Sequence, residues 1–199
     1  ILITTKKGKY SEFKFNINSS TSSYVAIDQV DVLSASQFRD LVNSTGDANA
    51  ITRLGSATTN WQDEIYTNAL GSDHTFSALG SAFGVPMRAS LGYSDHDGIL
   101  KRDNFNRTTA SLNLNPSFLD DHLKLQLTAR GSYTENFFAD RGAIGSASNY
   151  DPTQPVYDSS SPFAGYFSWI DSSTGLQPSL AGTNPVALLN LRDDSAEVR

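Results

Sequence analysis

Three stretches of strict alternation between apolar and polar residues constrain this chain most strongly. They occupy residues 87–94, 109–114 and 123–130. Because successive side chains on a β-strand point to opposite sides of the sheet, each stretch predicts a strand with one apolar and one polar face. The polar faces carry charges and never switch sides, as expected where water covers one side of the sheet. A membrane β-barrel with a wet lumen requires this arrangement, and a soluble β-sandwich also permits it.

In a barrel, the polar faces of these strands line the lumen. An Arg or Lys side chain in the middle of the bilayer costs about 2–4 kcal/mol, so the apolar faces must be the ones that meet outer-membrane lipid. We therefore predict that the polar residues hydrate the interior. The predicted lumen-facing residues are Arg88, Arg107, Asn113, Lys124, Gln126 and Arg130.

The composition excludes several other classes of protein. No run of about 18 apolar residues is present, which excludes a transmembrane helix, although barrel strands need no such run. The net charge of −6 and the scattered Lys and Arg residues argue against a nucleic-acid partner. Because the 199 residues contain no cysteine, disulfides, thiol catalysis and cysteine-bound zinc are excluded. The residue patterns point to no cofactor.

The connections between the predicted strands alternate in length. Residues 82–85 and 116–121 form short connections, whereas 95–104 is longer and charged. Everything after Asn136 is long and rich in Ser, Gly, Pro and aromatic residues. A barrel with turns at one rim and extended loops at the other produces such sorting.

The remaining segments predict two further strands and three short helices. The strands are expected at 13–18 and 74–82. Helix starts are indicated by residues that accept hydrogen bonds from the first free backbone N–H groups. The predicted helices follow a capping box at Ser34 and Gln37, run over 61–69 with Asn60 as the cap, and run over 185–191 with Asn184 as the cap and Pro185 first.

Several stretches, in their order along the chain, resemble one family of transporters. They are the run from Ile1 to Gly8, residues 31–41, residues 60–65, residues 90–107 and the Asn-Pro-Val-Ala-Leu-Leu run at 184–189. Together they are similar to the end of the plug and the first barrel strands of SusC/RagA-type TonB-dependent transporters. The chain starts without methionine, and its first residues lack the pattern of a secretory leader, so we expect a segment of a longer polypeptide.

The resemblance implies a fold, a function and partners. The expected fold class is all-β: an antiparallel segment, of about five strands, of a large outer-membrane β-barrel that has about 22 strands in the whole family member. Residues 1–8 are expected to end the plug domain, and 9–199 to form the N-terminal part of the barrel with its extracellular loops. The implied function is import of glycans or peptides across the bacterial outer membrane, with a SusD-like lipoprotein as partner and energy from the TonB complex.

No set of residues predicts catalysis, and we expect the chain not to be an enzyme. The Asp95-His96-Asp97 triplet combines cation ligands, but alternate residues of an extended segment point apart, which favours ordinary solvated loop charge. Aromatic residues near polar ones in the last loop are a candidate contact for solute or partner, although the loop also needs them to fold on itself. These aromatic residues are Tyr150, Tyr157, Tyr166, Phe167 and Trp169.

Two other hypotheses remain open from the residues alone. The first is a soluble, secreted β-sandwich that binds carbohydrate, in which the apolar faces of two sheets pack against each other. The second is an extracellular adhesin or structural module, which predicts similar repeats in the parent protein. Pattern and composition favour the sandwich, and the ordered family resemblance reverses that preference.

Overall fold

The computed structural model describes residues 12–171, 173–178 and 181–198. A single antiparallel sheet of six strands dominates these residues, and its spatial order follows the chain apart from one small hairpin. The fold class predicted from the sequence is confirmed. The strands of this sheet are β1 (Lys14–Tyr24), β2 (Ala69–Ala82), β3 (Val85–Asp97), β4 (Asn104–Leu114), β7 (Leu127–Phe137) and β8 (Ser195–Val198), and the hairpin is formed by β5 (Ser117–Phe118) and β6 (Leu123–Lys124).

Five short helices lie in the long connections. The capping box of Ser34 and Gln37 is present at the first helix, and Asn60 and Asn184 cap the helices predicted after them. In the part of the chain that the structure describes, no helix has the length and apolar character needed to cross a membrane. The helices are α1 (Ala35–Thr45), α2 (Ala48–Ile51), α3 (Trp61–Ile65), α4 (Gly142–Asn149) and α5 (Pro185–Leu191).

Several boundaries differ from the prediction. The strand predicted over 123–130 is divided, with 123–124 in the hairpin strand β6 and β7 beginning at Leu127. The helix expected over 61–69 ends at Ile65, because β2 already begins at Ala69 and runs well before the predicted 74–82. Similarly, β1 continues to Tyr24 instead of ending near residue 18. Both added portions carry polar residues on their two faces, so they lack the alternation by which strands are recognised in sequence.

The run from Ile1 to Gly8, predicted to end the plug domain, lies outside the described residues. That assignment stays a prediction, as does the division at residue 9.

From the middle of the sheet to the turn at residues 83 and 84, the register places nearly all polar residues on one face. Residues directly opposite each other on neighbouring strands share a face. Ser77, Ser90, Ser111 and Arg130 form one such row across β2, β3, β4 and β7. The adjacent row, on the other face, is Phe76, Leu91, Ala110 and Gly131. We call the two sides the polar face and the apolar face.

The apolar face is uncovered by the rest of the described chain. Among the described helices and strands, each strand of the sheet makes its main contacts with its neighbours in the sheet. Ile17 is 73% exposed and Leu91 is 58% exposed, values that a side chain between two packed sheets does not reach. The β-sandwich hypothesis requires a second sheet on this face, and the described residues supply none.

The packed core lies instead in the connections at one end of the sheet. It consists of side chains from α3, α4 and α5, together with Leu100 and Tyr150 from two loops. We call these parts, with the loop residues 150–171, the loop assembly, and the end of the sheet beside them the loop end. The opposite end, which we call the turn end, carries the tight turn at Phe83 and Gly84 and the small hairpin. The predicted alternation in length is therefore only partly met. The two longest connections lie at the loop end, but the link over 98–103 at that end is shorter than the link over 115–126 at the turn end.

One buried amide joins the loop assembly. The side-chain oxygen of Asn184 accepts hydrogen bonds from the backbone N–H groups of Val186 (3.0 Å) and Ala187 (3.2 Å). Its side-chain nitrogen donates to the carbonyl oxygens of Val156 (2.9 Å) and Phe167 (3.1 Å). A single residue therefore caps α5 and fixes two points of the preceding loop.

We predict that Asn184→Ala loosens the loop assembly without affecting the sheet. Loss of a helix cap and exposure of buried unpaired backbone groups together cost about 2–4 kcal/mol. The measurement is hydrogen exchange of residues 150–171 in the full-length protein. Asn190→Ala, at an exposed position of the same helix, is the matched control and leaves exchange unchanged. Equal protection in both variants would contradict this role of Asn184.

Candidate functional site: a polar sheet face beneath a loop assembly

The polar face holds four of the predicted lumen-facing residues. Arg88 and Asn113 lie directly opposite each other on β3 and β4, and Arg107 and Arg130 lie further along the same face on β4 and β7. The hydroxyl of Thr128 donates a hydrogen bond of 2.9 Å to the side-chain oxygen of Asn113. This hydrogen bond links β7 to β4 on the polar face.

The other two predicted lumen-facing residues lie outside the main sheet. Lys124 belongs to β6 of the small hairpin, and Gln126 lies in the link between β6 and β7. Alternation in sequence continues through this link, which is why the pattern alone could not separate these residues from β7.

A shallow recess of 360 Å³ interrupts the polar face near its centre. Its walls carry the hydroxyl groups of Ser90 and Ser111, which are hydrogen bonded to each other at 2.7 Å. The guanidinium of Arg130 lies at the same recess. A group with several oxygen acceptors suits this combination of hydroxyl and guanidinium donors.

Toward the loop end, the polar face carries a hydrogen-bonded cluster. One carboxylate oxygen of Asp73 accepts a hydrogen bond from Ser94 (2.7 Å), and the other lies 3.1 Å from Nε2 of His96. The opposite ring nitrogen of His96 is 3.3 Å from the hydroxyl of Tyr24. A Cβ atom at Gly71 would lie only 2.7 Å from that nitrogen, so a glycine is needed there for the imidazole to approach.

The structure separates the three residues of the Asp95-His96-Asp97 triplet. His96 is on the polar face, whereas Asp95 and Asp97 are on the other face, opposite Asn106 and Asn104. Asn104 donates hydrogen bonds to both carboxylates, at 3.2 and 2.9 Å. Within the described residues, no three acidic or histidine side chains come close enough to hold a metal ion. The prediction that the triplet lies in a loop is wrong, because β3 extends to Asp97 and pairs with its neighbours there. The expected divergence of alternate side chains is what the strand shows.

The predicted aromatic contact residues divide into packed and exposed members. Tyr150 is only 6% exposed and packs edge-on against Trp61, with ring centroids 4.8 Å apart. Its hydroxyl donates to the carbonyl oxygen of Phe167 at 3.3 Å, and burial raises the pKa of Tyr150 to about 12, so it remains a neutral donor. Tyr150 therefore serves the core of the loop assembly.

The other members lie in the loop between α4 and α5, and only Tyr157 is exposed, at 63%. Its ring centroid is 5.3 Å from that of Tyr166, which is partly buried against the core. Phe167, also packed against the core, forms an edge-on pair with the half-buried Trp169 at 5.4 Å. Each pair thus joins a residue packed on the core to one that is more accessible.

A cavity that the sequence did not indicate lies beside the loop assembly. It has a volume of 760 Å³ and is lined by residues 28–35, by α3 and by the end of α4. The buried amide of Gln62 holds the extended segment in place: its oxygen accepts from the N–H of Val30 (2.9 Å) and its nitrogen donates to the carbonyl of Val30 (2.7 Å). The sequence indicated that Gln62 lies in a capped helix. It could not indicate the contact with Val30, because that residue is 32 positions away in the chain.

The apolar face has a limited height. From Val85 to Tyr93 the apolar face extends about 27 Å along β3. If the strands tilt by about 40° from the barrel axis, this length corresponds to a height of about 21 Å along that axis. The apolar band of membrane barrels has a similar height, about 25 Å. Tyr93 and Tyr133 lie in the last apolar row, and the next row toward the loop end carries Asp95 and Glu135. The Tyr133 hydroxyl donates a hydrogen bond of 2.9 Å to Glu135. Tyrosines at this border match the aromatic girdle of such barrels.

A single twisted sheet with one bare apolar band, one polar face and its packed core confined to the loops is a segment of a β-barrel wall. The comparisons with known proteins identify which kind of barrel it is. No family model matches the chain.

Two curated relatives are TonB-dependent receptors. The TonB-dependent receptor SusC of Bacteroides thetaiotaomicron is 41% identical over 209 residues, which cover 98% of this chain and 21% of that protein. The TonB-dependent receptor P3 of Formosa agariphila is 31% identical over 114 residues, which cover 57% of this chain and 11% of that protein. This chain therefore belongs to the SusC-type TonB-dependent receptors, and the resemblance noted in the sequence is confirmed. It spans about a fifth of the length of the first relative.

A pair of neighbouring positions tests the orientation of the two faces. In the full-length receptor, we predict that Ala110→Arg, on the apolar face, lowers the free energy of unfolding in bilayers by about 2–4 kcal/mol. Thr109→Arg, one residue away on the polar face, is the matched control and changes it by less than about 1 kcal/mol. Equilibrium unfolding by urea measures both. A larger loss for Thr109→Arg would reverse the assignment of the faces.

Proposed function

We propose that this chain is the N-terminal part of the barrel wall of a bacterial outer-membrane transporter that imports glycans or peptides. Residues 9–199 supply the wall and extracellular loops, and residues 1–8 end the plug. The observation that carries the proposal is the sheet itself, whose apolar band and continuous polar face suit lipid on one side and water on the other. The names of both relatives support the same class.

The edges of the sheet explain why the segment acts as part of a larger barrel. β1 and β8 have one free edge each in the described sheet. Unpaired backbone groups exposed to hydrocarbon cost several kcal/mol each, so strands in a bilayer must continue their pairing until the barrel closes. Further strands of the receptor provide that closure.

In this mechanism, the wall stays fixed while other parts move. A solute binds first at the loop end, where the loop assembly forms part of a vestibule. The TonB complex then acts on the plug, and the solute passes along the polar face. The chain provides hydroxyl, amide and guanidinium groups along this path and performs no chemistry on the solute, so we propose no enzymatic activity.

The loop assembly is the proposed contact for a SusD-like lipoprotein. Its surface exposes Tyr157, Ile170 and Leu176, whose apolar side chains have no packing role in the described core. Aromatic and aliphatic side chains on a packed loop scaffold provide contact area at a low cost in conformational entropy. The same surface is open to the solute.

Uptake by the intact receptor tests the proposed function. Deletion of the full-length gene is expected to abolish uptake of one fluorescent oligosaccharide or peptide from a panel, and the restored gene is expected to recover it. The receptor is expected to copurify from outer membranes with one lipoprotein. Normal uptake of the whole panel in the deletion strain, or recovery of the receptor from the soluble fraction, would refute the transport role.

The outer residues of the two aromatic pairs, exposed Tyr157 and half-buried Trp169, give a site-specific prediction. Tyr157→Ala combined with Trp169→Ala is expected to lower the rate of uptake at limiting solute, or the recovery of the lipoprotein, by about tenfold, because each lost aromatic contact costs on the order of 1 kcal/mol. Phe83→Ala removes a fully exposed aromatic residue at the turn end and serves as the control. Full uptake and full lipoprotein recovery in the double variant would exclude these aromatics from both contacts.

A further inference from the structure

Aromatic side chains occur on the polar face only toward the loop end. In the described strands of the main sheet, Tyr24 and Phe105 lie on that face, and the imidazole of His96 lies between them. Other aromatic residues of these strands, such as Phe76 and Tyr93, lie on the apolar face. A barrel uses aromatic rings where it meets the membrane interface, so rings on its wet side require another explanation.

The three rings form a continuous strip outside the packed core. The ring centroids of Tyr24 and His96 are 6.3 Å apart, and those of His96 and Phe105 are 6.4 Å apart. The core of the described loop assembly includes none of them. Tyr24 is 42% exposed, and it passes close over Gly71, where a Cβ atom would lie 3.0 Å from its ring. We call Tyr24, His96 and Phe105 the aromatic strip.

A row of polar groups lies beside the aromatic strip, on its turn-end side. This polar row consists of Asp73, Ser94 and Arg107, which are neighbours on β2, β3 and β4. The Asp73 carboxylate accepts a hydrogen bond from Ser94 and lies 3.1 Å from His96, which leaves about two of its four lone-pair sites available. The Arg107 guanidinium lies 5.6 Å from the ring centroid of Phe105 and forms no ion pair within the described residues. Acceptors and donors are thus available next to the rings.

The formal charges of this region balance. On the polar face of the described strands, from the row of Asp73 to the loop end, Asp73 is the one carboxylate and Arg107 the one guanidinium. Asp103, just beyond the end of β4, is paired with Arg141 at 2.6 Å. One charge of each sign, among mixed donors and acceptors, suits an uncharged solute with many hydroxyl groups, because each hydroxyl both donates and accepts. An acidic or a basic solute would be repelled by one of the two charges.

The position of the site within the sheet favours a saccharide over a peptide. Extended peptides bind to sheets by adding a strand at a free edge. β2, β3 and β4 each have a neighbouring strand on both sides, so they offer no such edge. Side chains are what a solute meets here. Aromatic rings flanked by polar groups match the two surfaces of a sugar, which are the apolar C–H face and the surrounding hydroxyl groups.

We propose that the aromatic strip and the polar row together bind an uncharged oligosaccharide on the wet side of the wall, at its loop end. This inference rests on the proposed function and deepens it, because it selects neutral glycans from the two classes of solute. Sugar rings stack on Tyr24 and Phe105, and their hydroxyl groups form hydrogen bonds with Asp73 and Arg107. The site lies where a solute that leaves the vestibule first meets the wall.

The test measures binding to the purified full-length receptor by calorimetry. The probes are short neutral oligosaccharides from starch, xylan, mannan and fructan, an oligogalacturonate, and one acidic and one basic peptide. We expect a neutral oligosaccharide to bind, with a Kd that added sodium chloride leaves nearly unchanged because the solute carries no charge.

Substitutions then locate the binding site. Tyr24→Ala combined with Phe105→Ala is expected to raise this Kd about tenfold, and Asp73→Asn about fivefold. Phe105→Tyr keeps the ring and is expected to retain binding. Phe137→Ala removes an aromatic ring from the apolar face near the same end of the sheet and is the matched control. Recovery of each variant from outer membranes reports whether it folds.

The other outcomes lead to different conclusions. Binding of the oligogalacturonate or a peptide without binding of any neutral oligosaccharide would overturn the proposal, as would binding of no probe. An unchanged Kd in the folded double variant would place the sugar elsewhere and overturn it as well. Uptake of the same probes by cells is measured in parallel. Normal uptake of every probe in the deletion strain would refute the proposed function itself, whereas receptor-dependent uptake of a charged probe would refute only the neutral-glycan site.

Discussion

The structure depends on one register maintained across the long strands. Since side chains alternate with a period of two, cross-strand partners share a face, and a slip of one residue in any pair would move a whole set of apolar side chains to the wet side. Leu91 lies in a row of the apolar face, and its neighbour Ser90 lies in a row of the polar face. Adjacent residues of one strand therefore face different surroundings. The same strictness applies to any sheet that has one face away from water.

Because the described chain leaves the apolar face of the sheet uncovered, its packed core lies outside the sheet. The sheet buries little against its own chain, so compact packing develops in the connections at the loop end, around Trp61, Leu100 and Leu189. Asn184 and Gln62 fix backbone segments there by hydrogen bonds from both ends of an amide. The loops of the described chain thus form an ordered scaffold that holds the two aromatic pairs and lines the cavity.

Charged side chains on the polar face differ in whether they have partners within the described residues. Asp73 is hydrogen bonded to Ser94 and lies 3.1 Å from His96, whereas Lys14, Arg88 and Arg130 form no ion pair within the described residues. In a sequence with more acidic than basic residues, this grouping of cations is visible only when the strands are placed side by side.

The sequence by itself determined which residues share a face of each strand and where the capped helices begin, because alternation and capping act within a few neighbouring residues. It could not show the polar half of β2, where both faces carry polar groups, or α4, whose first turn has no side-chain cap. Only the tertiary structure decided that Tyr150 is packed, that His96 meets Asp73, and that Lys14, Arg88 and Arg130 lie in neighbouring rows of one face. Those outcomes depend on register and loop packing between residues far apart in the chain, which no local pattern encodes.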